Sequence, residues 1–212
     1  PPELLKAVLL APVDLLYNGG IGTYVKASSE IHGAVGDKAN DAIRVNAIQL
    51  RTRIIAEGGN LGITQRGRIE AALGGVLLNT DAIDNSAGVD CSDHEVNIKI
   101  FLDRMIAAGR MSPDERTGFL HSLQEEVARL VLKTNVDQTV LPLNYRKPVL
   151  HWSPSFERTM DWLDTVTDLD RNLECLPSTE QLHTRLQSGA GLTSPELSVL
   201  AAYAKEHGHS IH

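Results

Sequence analysis

Two polar, glycine-bearing clusters, each placed directly after a short apolar run, constrain this chain more than any other feature. Glu57-Gly58-Gly59-Asn60 follows Ile54-Ile55-Ala56, and the polar stretch 84–95 follows the run 76–83. Between them lie one helix-sized segment, residues 64–75, and the apolar run Gly75-Val76-Leu77-Leu78. Short apolar runs alternating with helical patterns are the sign of βαβ units in a parallel sheet. Ligands of such sheets sit in the crevice beyond the carboxyl ends of the strands. Both clusters fall there.

The rest of the first half fits the same frame. Residues 7–16 form an apolar run broken by Pro12 and Asp14, which predicts a strand entered at Val13. It ends in Asn18-Gly19-Gly20-Ile21-Gly22-Thr23, a loop whose glycines can adopt positive φ or let a ligand approach the backbone. The spacing predicts a helix over 36–46, with Ala39, Ala42, Ile43 and Asn46 on one face. Strands are expected over 50–56 and 76–78, and a helix over 64–73. The order is β-loop-α-β-α-β, about half of a doubly wound parallel sheet.

Glycine usage then changes. Twelve of the 17 glycines precede position 101, and the remainder of the chain has helical patterning. From Asp93 onward Val96, Ile100, Leu102, Met105 and Ile106 recur at helical spacing. Ser112-Pro113-Asp114-Glu115 is a capping box that opens an amphipathic helix through Phe119, Leu123, Val127, Leu130 and Val131. Ser153-Pro154 is expected to open another, with Phe156, Met160 and Leu163 inward. Ser178 with Gln181, and Thr193 with Glu196, mark two more. Caps explain these hydroxyls fully.

A net charge of −7, spread along the chain, argues against nucleic acid or an anionic membrane surface as partner. No apolar run approaches the roughly 18 residues of a membrane span. Two cysteines, Cys91 and Cys175, cannot build a disulfide framework, which fits a reducing cytoplasm. The chain starts at Pro1 without a methionine, as a processed protein or an excised piece of a longer one would, and the excised piece is the expectation.

Each candidate site has two readings. Residues 18–22 could cradle a cofactor, but they lack a G-x-G-x-x-G run, and any tight strand-to-helix connection needs such a turn. Asn60 offers donor and acceptor to a carboxamide or to ribose hydroxyls, or else serves as a turn residue. In Asp90-Cys91-Ser92-Asp93-His94-Glu95, Cys91 and His94 are a single pair with no second pair at metal-ligand spacing. No strained nucleophile turn precedes Ser92, so hydrolysis has little support. Asp90, Ser92 and Asp93 are expected to cap the following helix, whose free N–H groups would favour an anion.

At these residues the chain resembles the large NAD-specific glutamate dehydrogenases of bacteria. The matching runs are residues 14–26, 35–46, 57–62 with 64–68, and 79–99, with a further likeness over 192–205. The family is similar, at low identity, to the smaller glutamate dehydrogenases. Their E-G-A-N motif is echoed by Glu57 to Asn60, and their N-x-G-G-V-x-x-S motif by Asn85 to Ser92, with Ala87 replacing one glycine.

The resemblance implies oxidative deamination of L-glutamate to 2-oxoglutarate and ammonia, with hydride passing to NAD. It implies that Asn60 and Asn85 lie near the nicotinamide ribose or carboxamide, with Asn18, Gly19, Gly20 and Gly59 as further cofactor-binding positions. Ser92 is expected to hydrogen-bond the side-chain carboxylate of glutamate. No metal site is expected. The family's catalytic lysine and aspartate, and its pyrophosphate loop, are expected upstream of Pro1, so this chain alone should not turn over. Residues 206–212 depart from the family pattern.

The expected architecture is α/β. Residues 1–95 form the second half of a Rossmann-like dinucleotide-binding domain, and 96–212 a mostly α-helical region. The intact enzyme is expected to be a cytoplasmic homo-oligomer. Two other readings stay open: a non-catalytic interaction or regulatory module that keeps the fold, and another amino-acid dehydrogenase.

Overall fold

The computed structural model describes residues 1–210. Helix α1 (Pro2–Leu9) comes first, followed by strand β1 (Leu15–Asn18). The apolar run 7–16 is therefore divided: its first part closes a helix, and the strand begins two residues beyond Val13. A long connection follows, holding β2 (Val25–Lys26), α2 (His32–Val35), a 3-10 turn (Lys38–Asn40) and β3 (Val45–Asn46). After a second 3-10 turn (Ala47–Gln49) come β4 (Ile54–Glu57) and α3 (Gln65–Leu73). Thr64 caps α3, its hydroxyl accepting the Gly67 N–H at 3.0 Å.

The helix expected over 36–46 does not form, and the cause is tertiary. Gly36 has φ +79° and ends α2. Asp37 then accepts the Thr23 N–H at 2.8 Å and the Asn40 amide at 2.6 Å. Arg44 is buried, its Nε donating to the Thr23 carbonyl at 2.8 Å and its remaining nitrogens engaging Asp41 and the Asp37 carbonyl. A continuous helix would swing these groups apart, so the segment folds around Arg44 instead.

β1 and β4 pair in parallel, from Leu15 opposite Ile54 to Asn18 opposite Glu57. The expected third strand is reduced to Leu77, which bridges Ile54 in parallel through the Ile55 N–H and its own N–H. A second parallel pair joins β2 to β3, with Ile63 bridging Val25. Val25, Val45, Ile55, Ile63, Val76 and Leu78 form one core beneath these strands.

Beyond the strands lie α4 (Asp81–Asp84), α5 (Ser86–Ala107), α6 (Pro113–Arg146), α7 (Val149–Val166), α8 (Thr179–Gln187) and α9 (Ser194–Ser210). The capping boxes at Ser112 and Ser178 form as their spacing requires. Ser153-Pro154 does not open a helix. Both residues lie inside α7, where the Ser153 hydroxyl donates back to the Val149 carbonyl at 2.7 Å. Phe156, Met160 and Leu163 do face inward, with Leu182, Leu192 and Leu197 from α8, the loop after it, and α9. The Gln65 side chain reaches the Pro195 carbonyl at 3.3 Å, tying α3 to α9. Position 95, where the dinucleotide-binding half was expected to end, lies within α5. Of the divergent tail 206–212, Ile211 and His212 lie outside the described residues.

Candidate functional site

Because β1 and β4 are parallel neighbours in register, the loops that leave them lie side by side. The Asn18 carbonyl accepts the N–H groups of Gly58 and Gly59 at 2.8 and 3.0 Å. A β-carbon on Gly59 would stand 2.3 Å from the Gly20 carbonyl oxygen, and one on Gly62 would stand 1.6 Å from the Asn18 amide nitrogen. Glycine at 59, where the obstacle is backbone, is therefore a condition for bringing the two loops together, whereas at 62 the obstacle is the Asn18 side chain. The Asn18 Nδ2 is buried there with no hydrogen-bond partner. Such a donor costs free energy unless something accepts from it.

Asn60 and Asn85, 25 residues apart, meet directly: the Asn85 amide donates to the Asn60 Oδ1 at 2.9 Å. Asn85 sits at the turn between α4 and α5. The structure thus gathers Asn18, Gly19, Gly20, Gly59, Asn60 and Asn85 at one end of the β1–β4 pair.

Ser92 is placed differently from expectation. The helix starts at Ser86, so Ser92 lies in its second turn and its exposed hydroxyl caps nothing. Free N–H groups are confined to the first turn of a helix, so the anion-site argument made for Ser92 does not apply. Asp90 and Asp93 likewise lie within α5 and cap nothing. Ser92 follows Asn85 by seven residues, which returns it to the Asn85 face about 10 Å along the axis. His94 pairs with Asp90 one turn away at 3.2 Å, not with Cys91. Ala87 is helical, so its departure from glycine requires no unusual backbone.

Sequence reasoning missed what supports these loops. Glu57, 1% exposed, receives a forked pair from Arg68, Nε to Oε1 at 2.7 Å and Nη2 to Oε2 at 2.9 Å. The same guanidinium lies 3.0 Å from Asp81, whose other oxygen accepts the Leu61 N–H at 2.7 Å. Leu61 holds φ +56°, outside the usual range of a leucine, fixed by that bond and by the Thr23 hydroxyl on its carbonyl. Asp84 accepts the Glu57 N–H at 3.0 Å and the Asn79 amide at 3.1 Å. Burial pushes the Glu57 carboxyl above its ordinary range, against the pull of the Arg68 bonds. Burial likewise raises Asp84. A signal existed: Ile55 and Glu57 share one face of β4, so burying the first buries the second, and a buried carboxylate needs a cation.

In parallel α/β sheets ligands bind beyond the carboxyl ends of the strands, the end at which these glycine loops and facing amides lie. The chain belongs to the family described as Bacterial NAD-glutamate dehydrogenase, catalytic domain, which it matches over residues 1–144. It is similar to the NAD-specific glutamate dehydrogenase of Mycobacterium tuberculosis, 53% identical over 205 residues. Its identity to the enzymes of the same name from Pseudomonas aeruginosa and Halomonas elongata is 50% over 205 residues and 49% over 209. Each match covers 97% of this chain and 13% of the relative's length.

Proposed function

We propose that this chain is the cofactor- and substrate-lining part of an NAD-dependent glutamate dehydrogenase. The reaction is oxidative deamination of L-glutamate to 2-oxoglutarate and ammonia. In this reading the parallel pair β1–β4 belongs to the second half of a doubly wound dinucleotide-binding sheet. Residue 95 divides functions and not the chain, since α5 crosses it. The intact enzyme is a homo-oligomer of the cytoplasm, a compartment that suits its free cysteines, Cys91 and Cys175. Among the described residues no helix is long and apolar enough to cross a membrane.

The observation that carries this reading is the convergence of residues 18–20 and 57–60 at the carboxyl ends of β1 and β4. The unpartnered Asn18 amide fits a dinucleotide, which is rich in hydrogen-bond acceptors. Gly19, Gly20 and Gly59 offer backbone that a ligand can approach closely. When bound, NAD supplies the hydride acceptor. Asn60 and Asn85 orient its carboxamide or ribose through the amide groups left over from their mutual bond. Ser92 offers its free hydroxyl to the side-chain carboxylate of glutamate. The lysine and aspartate that do the proton chemistry are contributed by the part of the enzyme preceding these residues.

The test uses the full-length enzyme that contains this segment, followed by glutamate-dependent formation of NADH. Asn85→Ala should raise KM for NAD more than KM for glutamate, because the partner groups left unsatisfied cost about 1–3 kcal/mol. Equal NAD kinetics in variant and parent would reduce Asn85 to a structural turn.

A further inference from the structure

Arg68 lies behind these loops, and the carboxylates that brace residues 57–61 and the turn at Asn85 gather around it. Its fork holds Glu57, the last residue of β4, and its Nη2 reaches Asp81, the first residue of α4. Glu57 leads into the loop that carries Asn60. Asp81 fixes Leu61 on the far side of Asn60, and Asp84, adjoining Asn85, holds the Glu57 N–H. Both members of the Asn60–Asn85 pair are thus flanked by residues of one ion cluster.

The cluster is also unbalanced. Glu57, Asp81 and Asp84 surround the single guanidinium of Arg68, and Glu57 and Arg68 are 1% and 3% exposed. Without Arg68 the carboxylates of Glu57 and Asp81 would face each other without a cation. Repulsion would then act along the line joining the end of β4 to the start of α4, which sets the separation of Asn60 from Asn85. A lysine keeps the charge but is a point donor, and cannot fork Glu57 while reaching Asp81.

We infer that Arg68 is a positioning residue for the cofactor site, acting through Glu57 and Asp81 to set the Asn60–Asn85 pair. The inference rests on the reading of that pair given above. Its consequence is a defect in NAD use that is distinct from any loss of stability. Displacing positioned groups by about 1 Å costs up to 10²-fold.

In the full-length enzyme, KM for NAD is measured for the parent, Arg68→Lys, Asn85→Ala and the double variant, with the melting temperature of each. Arg68→Lys should raise KM for NAD about 10-fold. The double variant should be no worse than the poorer single variant, because two residues acting through one contact are not additive. A folded Arg68→Lys enzyme with parental KM overturns the inference, as do two additive defects. If Asn85→Ala itself leaves KM unchanged, the reading of the site has failed, and the inference falls with it. Should Arg68→Lys not fold, Asp81→Asn decides by the same criteria. It leaves an acceptor for Leu61 but removes the charge that meets Arg68.

Discussion

The carbonyl of Gly20 points at the Cα of Gly59 so closely that a β-carbon there would lie 2.3 Å from its oxygen. Gly59→Ala must therefore push apart two loops that the Asn18 carbonyl holds together. Overpacking of this kind costs about 1–3 kcal/mol. Gly20 itself faces open space, and Gly20→Ala should change stability by less than about 0.5 kcal/mol. Urea unfolding of the two variants checks the contrast. Equal stability would mean that the loops are not in register.

Asp84 predicts an inverted pH response. Burial raises its folded pKa above the unfolded value, so the folded chain holds that proton more firmly. The stability it contributes is greatest below the ordinary carboxylate range. It falls as pH rises from that range through the raised folded value. Glu57 shifts in the same direction. The stability of the parent relative to Asp84→Asn should accordingly decline from acidic to neutral pH, read from urea midpoints. A difference independent of pH would show that Asp84 titrates as it does in the unfolded chain.

Ser92→Ala separates substrate recognition from helix capping. The residue is exposed inside α5 and caps nothing, so alanine should leave the melting temperature unchanged or raise it, by propensity worth about 0.5 kcal/mol. In the full-length enzyme kcat/KM for glutamate should fall relative to norvaline, which lacks the side-chain carboxylate. One charge-assisted bond corresponds to about 1.5–3 kcal/mol of that selectivity. An unchanged substrate ratio would leave Ser92 as helix surface.

The helical half has its own buried carboxylate. Glu196, 0% exposed, accepts the Thr193 N–H and hydroxyl, each at 2.7 Å, and meets Arg185 at 2.7 Å. Glu196→Ala leaves these donors unsatisfied and should cost about 3–5 kcal/mol, as breaking buried pairs does. Thermal unfolding that is unchanged would contradict the burial of this group.

Local chemistry was legible wherever local chemistry decides. The boxes at Ser112 and Ser178 and the Thr193–Glu196 pair all form from contacts three residues apart. The loops 18–22 and 57–60 were legible as strand ends, and the structure brings them together, whereas the cluster 84–95 lies in α4 and α5. Residues 36–46 misled because Ala39, Ala42 and Ile43 have helical spacing, while the deciding partner, Thr23, lies far off in sequence. The polar run 90–95 looked like a helix entry because an exposed helix face and a cap use the same residues. Arg68 escaped notice because its meaning depends on Glu57, eleven residues away on another element.

α5 runs 22 residues from the Asn85 turn, about 33 Å of unbroken rod. At its near end Asn135 of α6 donates to the carbonyls of Ile83 and Asp84 and to the Ser86 hydroxyl, at 3.2, 3.3 and 2.8 Å. Nearer its far end Asp103 of α5 meets Arg116 of α6 at 2.9 Å, and Leu102 beside it is buried, so α6 holds α5 at both ends. One long helix, α6, thus serves as the common backing for the Asn85 turn and for the rod that leaves it.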